Sequence, residues 1–184
     1  MLAEAALAIG SGVAARSVLL IAFGVDSVIE LLSGGVLLRR LRAESGGASE
    51  ADVDKLDART ARVSAVLLIL LCAYIGLSSA AGLLSGVRPS PSPLGLVVSF
   101  FACVVMPILA LAKRRVNDIL GSASLRADIA ETISCAVLAG LTLAGLAADA
   151  AFGRWWIQYV AALAFLIWLV PETREAIEAS RQHS

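Results

Sequence analysis

Histidine is nearly missing from this chain: one residue, His183, stands beside the last of 184. No HExxH pattern of a helix-borne zinc hydrolase is present, and neither is a GxSxG turn or another nucleophile set beside a base. An enzyme is not expected. Charge is also sparse: 16% of residues are Asp, Glu, Lys or Arg and 59% are hydrophobic, far from the ~25% charged of a typical soluble domain. The mean hydropathy is +0.85. Formal net charge is zero and no basic stripe alternates with aromatics, so the electrostatic footprint of a nucleic-acid binder is absent. Cys72, Cys103 and Cys135 lie singly in apolar runs without CxxC spacing, which argues against a disulfide framework or a dithiol redox centre.

What the chain does have is a series of apolar stretches. Measured against the ~20 residues a helix needs to cross a hydrocarbon core, they predict an all-α, polytopic transmembrane helix bundle in a single domain. Helices are expected near residues 1–15, 17–38, 61–85, 94–113, 124–148 and 155–171, the last five as full spans, with a short linker over 43–58 and a short tail over 172–184. The first stretch is about half a span, and Glu4 with no basic residue ahead of it makes a poor signal peptide. Gly10 and Gly12 suit close helix contact, so this segment is expected to pack on a neighbour; whether it spans is open. Pro107 is expected to kink or open its helix. Trp155, Trp156 and Tyr159 stand where an interfacial aromatic belt would lie.

Basic residues alternate in density. Arg39, Arg40, Arg42, Lys55, Arg59 and Arg62 share one connection, and Lys113, Arg114, Arg115 and Arg126 share another; the intervening ones hold Arg16, Arg88 and Arg154 singly. By the positive-inside rule, a multi-pass protein of the cell membrane would have loops 39–62 and 113–126 in the cytoplasm. The Ser, Gly and acid-rich run over 43–58 reads as a solvated, flexible linker.

Against this background the interior acids stand out. Asp26 and Glu30 are spaced i, i+4 in one apolar stretch, and Glu131 and Cys135 likewise in another, a spacing that stacks two side chains on one helix face. With a rise of 1.5 Å per residue, Asp26 and Glu30 lie about 15 and 21 Å below Arg16, and Glu131 and Cys135 about 10 and 16 Å above Ser124. In helices of opposite direction, Asp26 falls level with Cys135 and Glu30 with Glu131. Asp128 shares their face one turn nearer the basic side, as a vestibule or supporting group or as an interfacial acid at a helix start. No basic residue is expected at the depth of either pair. Carboxylates at membrane depth are costly and mark ion paths, so the four residues Asp26, Glu30, Glu131 and Cys135 are candidate ligands for a divalent cation. Oxygen with one sulfur favours zinc or cadmium over magnesium and calcium. Matched pairs on opposite-running helices also suggest an inverted three-helix repeat.

The stretch Phe-Gly-Val-Asp-Ser-Val-Ile-Glu-Leu-Leu-Ser-Gly at 23–34, with Ser-Leu-Arg-Ala-Asp-Ile-Ala-Glu-Thr-Ile-Ser-Cys at 124–135, resembles the cation diffusion facilitator family. That family carries H/D-S-x-x-D on its second helix and A-D-A-x-H-x-x-x-D on its fifth. The motif positions fall on Asp26, Glu30, Glu131 and Cys135. The resemblance implies a six-helix cation-efflux bundle, a homodimer, and transport of zinc or a related cation. Metal binds deprotonated ligands and desolvated carboxylates hold protons more readily, so metal/proton antiport is expected, with zinc first and Cd, Co, Mn or Fe as other cargo. Three departures stand in the site: both usual histidines are absent, Glu30 replaces an aspartate, and Cys135 stands where an aspartate is usual. The chain also has no long soluble tail like the domain that joins many dimers of that family. A non-transporting membrane metal sensor or scaffold on the same helices is the alternative. No prosthetic group is implied.

Overall fold

A computed structural model describes residues 1–45, 50–120 and 123–182. The described residues form six helices and no strand: α1 (Leu2–Ala15), α2 (Val18–Ser45), α3 (Glu50–Ser85), α4 (Pro93–Leu120), α5 (Ala123–Phe152) and α6 (Trp156–Gln182). Four contain a stretch long and apolar enough to cross a membrane: Val18–Arg39, Ala65–Ser85, Pro93–Ile119 and Asp128–Phe152. Leu2–Ala15 and Trp156–Pro171 are shorter apolar helices. Helices suit such sequences because each satisfies its own backbone polar groups where lipid offers no partner. The architecture fits a membrane-embedded protein.

The helices run further than the apolar windows. The linker read over 43–58 is corrected to helix on both sides, since α2 continues to Ser45 and α3 begins at Glu50; residues 46–49 lie outside the described residues. Likewise α4 continues past residue 113 to Leu120, and α6 carries helix through the expected tail to Gln182. Hydropathy marks where lipid would solvate a helix, whereas Leu, Ala, Arg, Lys and Glu sustain helix beyond that point by intrinsic preference. α4 runs through Pro107 as one helical element. The turns use left-handed caps: Gly86 (φ 64°), Gly153 (φ 61°) and, without glycine's freedom, Arg16 (φ 55°). Arg16 directs its N–H at the Gly12 and Val13 carbonyls, closing a tight α1–α2 hairpin. Ser17 and Ser92 cap the next helices, accepting from the N–H groups of Leu20 (3.4 Å) and Gly95 (3.1 Å).

Helix α2 is the most enclosed of the membrane-crossing stretches. α2 packs on α1, α3, α5 and α6, and α5 packs on α4, α2 and α6, while α1 lies against α4 and α3 against α6. Half of the α2 span is buried, against 28% of the α3 span, so α2 is a hub and α3 a wall. The core between them holds Leu19, Phe23, Ile29, Leu71, Ile75, Met106, Leu138, Phe165 and Leu169. Outward faces carry bare Leu77, Leu84 and Ile167, a pattern that suits lipid as solvent.

Close approach of α1 to α2 depends on two glycines. A Cβ on Gly12 would stand 2.8 Å from the Ile21 backbone N, and one on Gly24 would stand 2.8 Å from the Ile9 backbone N. Gly10, expected to share this role, has nothing within 4 Å. Tyr159 also departs from its expected place in a belt. It is 2% exposed, fits against Gly82, and donates its hydroxyl to the Val87 carbonyl at 2.9 Å, pinning α6 to the turn after α3.

Substituting Gly24→Ala is expected to destabilise the protein by about 1–3 kcal/mol, because the obstructing atoms include backbone that cannot rotate aside. Gly10→Ala should change stability by no more than about 0.5 kcal/mol. Reversible unfolding in mixed micelles measures both, and equal effects would disprove the packing assignment.

Candidate functional site

The residues that α5 buries include Leu125, Asp128, Thr132, Cys135, Ala139, Thr142 and Leu146, at the three-and-four spacing of a helix seam, with Ile129, Ser134 and Leu138 buried beside them. Asp128, Thr132 and Thr142 make that seam polar, together with the thiol of Cys135. Opposite them, α2 buries Asp26, Ser27 and Glu30. The two helices meet in the antiparallel register expected from depth: Ser27 Oγ lies 3.9 Å from Cys135 Sγ, Thr132 Oγ1 donates to Glu30 Oε1 at 2.7 Å, and Ser33 Oγ donates to Glu131 Oε1 at 3.1 Å. Cys135 has Asp26, Glu30 and, from α1, Glu4 as its charged neighbours.

Thr132 is the hinge of the network. Lys113 Nζ, from α4, donates to its Oγ1 at 2.7 Å. The hydroxyl also lies 2.9 Å from the Asp128 carbonyl O, but it has one proton to give. The carboxylate of Glu30 is the stronger acceptor. Lys113 Nζ further stands 2.8 Å from Asp128 Oδ2 and 3.9 Å from Glu30 Oε1. This corrects the expectation that no basic residue lies at the depth of the acidic pairs. Lys113 sits at the polar end of an apolar window and reads as a loop charge, yet α4 continues as helix to Leu120, and a four-carbon stem carries the ammonium inward.

Asp128 is accordingly more than an entrance residue: it is 5% exposed and paired directly with Lys113. Glu131 departs in the other direction. At ~100° per residue it lies off the seam, half-buried, and its partner is Ser33. Among the described residues no three His, Cys, Asp or Glu side chains converge closely enough to hold a metal ion. The four sequence candidates thus line one crossing without forming a finished coordination shell. Glu30 Oε1 is taken by Thr132 and Asp128 Oδ2 by Lys113. Glu30 Oε2 and Asp128 Oδ1 are buried and accept no hydrogen bond among the described residues. A desolvated carboxylate oxygen without a donor carries a penalty of about 1–3 kcal/mol or more, which an arriving cation or proton would relieve.

Sequence reasoning missed Thr132, Lys113, Ser27, Ser33 and Glu4. For Thr132 a signal existed, since it lies four residues from Asp128 and three from Cys135, the step that defines a seam. No family model matches the chain, and no curated protein matches it. The likeness to the cation diffusion facilitators therefore rests on the two motifs at 23–34 and 124–135 alone.

Replacing Thr132 by Val keeps the shape and removes the bridge, leaving Glu30 Oε1 without its donor. The expected loss is about 1–3 kcal/mol of stability, recovered in large part by Thr132→Ser. Denaturant titration of the purified variants reads the difference, and a Val variant as stable as the wild type would mean that the bridge carries no weight.

Proposed function

We propose that the chain is a divalent cation transporter whose site lies at the α2–α5 crossing, with zinc as first-choice cargo. The observation that carries this reading is the desolvated network itself: Glu30 and Asp128 share the single ammonium of Lys113, and each keeps a buried oxygen that accepts no hydrogen bond among the described residues. Such a cluster, within helices of membrane-crossing length, is short of positive charge and can take it up from a metal ion or from protons. Asp26 and Cys135 lie beside it and would extend the ligand set; a thiolate among carboxylates tilts selectivity toward zinc and cadmium. Metal binds the deprotonated forms, so protons compete for the same groups, and that competition couples metal export to proton entry. In this reading the chain crosses the cell membrane five or six times with the basic helix ends in the cytoplasm, and works as a homodimer joined through its membrane helices.

A second reading keeps the same helices in a protein that binds metal without cycling, as a sensor or scaffold.

Flux into proteoliposomes under an imposed pH gradient separates the two, with Zn, Cd, Co, Mn and Fe offered in turn. Wild type is expected to move zinc at a rate that follows the gradient, and Glu30→Ala and Asp26→Ala are expected to abolish the movement while retaining helical content by circular dichroism. Metal binding without flux would select the sensor, and flux unaffected by both substitutions would remove the α2–α5 site from the path.

A further inference from the structure

The ammonium of Lys113 holds the position that a mobile cation would need. It contacts Thr132 Oγ1 at 2.7 Å and Asp128 Oδ2 at 2.8 Å, with Glu30 Oε1 at 3.9 Å. Two of the three N–H donors of the ammonium are taken by Thr132 and Asp128, and Glu30 adds a longer charge pairing. Two of those oxygens belong to carboxylates from different helices, and the ammonium reaches them from a third, so one positive charge joins α4, α5 and α2 at a single point. Its side chain is 20% exposed, whereas those of Glu30 and Asp128 are 2% and 5% exposed. The lysine is the least enclosed of the three groups, and a flexible stem allows it to leave by the way it enters.

We propose that Lys113 is a tethered counter-cation: it occupies the Glu30–Asp128 cluster when no mobile cation is present and is expelled when a divalent ion enters. The inference rests on the transport reading above and adds the competitor built into the chain. Charge sets the logic. Two carboxylates with one ammonium leave the cluster one positive charge short, while two carboxylates with one divalent ion balance. An ammonium and a divalent ion on the same oxygens would repel at contact distance in a poorly solvated interior. Withdrawal of Lys113 also breaks a tie that joins α4 to both α5 and α2. Cation entry and a change in helix packing thus become one event, which a transporter needs and a purely structural ion pair would not supply.

The test uses the full chain in detergent micelles, titrated with zinc and with cobalt by calorimetry at fixed pH. Lys113→Met is expected to bind zinc at least tenfold more tightly than wild type, because the competitor is gone, and to melt at a lower temperature than wild type until metal is added. Lys113→Arg should stay near wild-type affinity. A second measurement needs no variant. The chain contains two lysines, Lys55 and Lys113, so acylation by an amine reagent followed by mass spectrometry reports Lys113 against an internal reference. Zinc is expected to raise acylation of Lys113 several-fold and leave Lys55 unchanged. If wild type binds zinc while Lys113 labelling stays constant, or if a folded Lys113→Met binds no more tightly, the tethered-cation role is overturned and the metal site stands. Absence of zinc and cobalt binding by wild type and both variants would instead bring down the metal reading together with this inference.

Discussion

The antiparallel crossing of α2 and α5 governs the rest of the molecule, because three helices exchange polar contacts there in a setting where polar groups have few alternatives. Thr132 accepts a hydrogen bond from Lys113 and donates one to Glu30, while Lys113 also pairs with Asp128. Where buried polar groups have few alternative partners, each such contact restricts the register and rotation of its helix more than an apolar contact of equal area would. Apolar packing against Leu138, Phe23 and Met106 tolerates small slips; a buried carboxylate held at one hydroxyl does not.

At the other end of α2 a second polar tie sets the orientation. Ser17 Oγ donates to Gln158 Oε1 at 2.8 Å, and Gln158 Nε2 donates to Asp149 Oδ2 at 2.7 Å. The chain start of α2, the C-terminal end of α5 and the opening of α6 are fixed together by this route. Between the two ties the packing is tight: Gly145 leaves room for Leu19, and Gly24 lets α1 lie directly on α2, before Ser27 meets Cys135. α2 is thus clamped at both ends. Any motion that exposes the acidic cluster alternately to the two ends would have to release one tie while retaining the other, and the tie containing Lys113 is the more readily released, since its cation is partly exposed.

The chemistry of the cluster follows from which atoms are satisfied. Thr132 and Lys113 take one oxygen of Glu30 and one of Asp128 and leave the others bare of hydrogen bonds. Full satisfaction would make a stable structural network, and complete lack of satisfaction would make folding costly. The intermediate arrangement is held by the surrounding packing and has something to gain from a visiting cation, which is the physical basis for reading it as a site.

Much of this was legible from the amino-acid order. Long uncharged runs determine helices, since backbone groups in such segments must pair internally, and depth counted from the ends put Asp26, Glu30, Glu131 and Cys135 at one crossing. The helical continuations to Ser45, from Glu50 and to Leu120 were hidden because hydropathy reports solvation and not backbone conformation. Rotation about each helix axis was beyond the sequence: Asp128, Thr132 and Cys135 took the seam and Glu131 the shoulder only because α4 and α6 packed against the remaining faces of α5. Lys113 shows the same division. Its charge and its place at the end of an apolar run are fixed by the sequence, but whether a long cationic side chain turns toward water or into the bundle depends on the acids that neighbouring helices bring within reach. Order along the chain determined which segments are helical and how deep each acid lies; tertiary packing alone decided which of them meet, and with what partner, because those contacts join residues about 80 to 110 positions apart through faces that no single helix specifies.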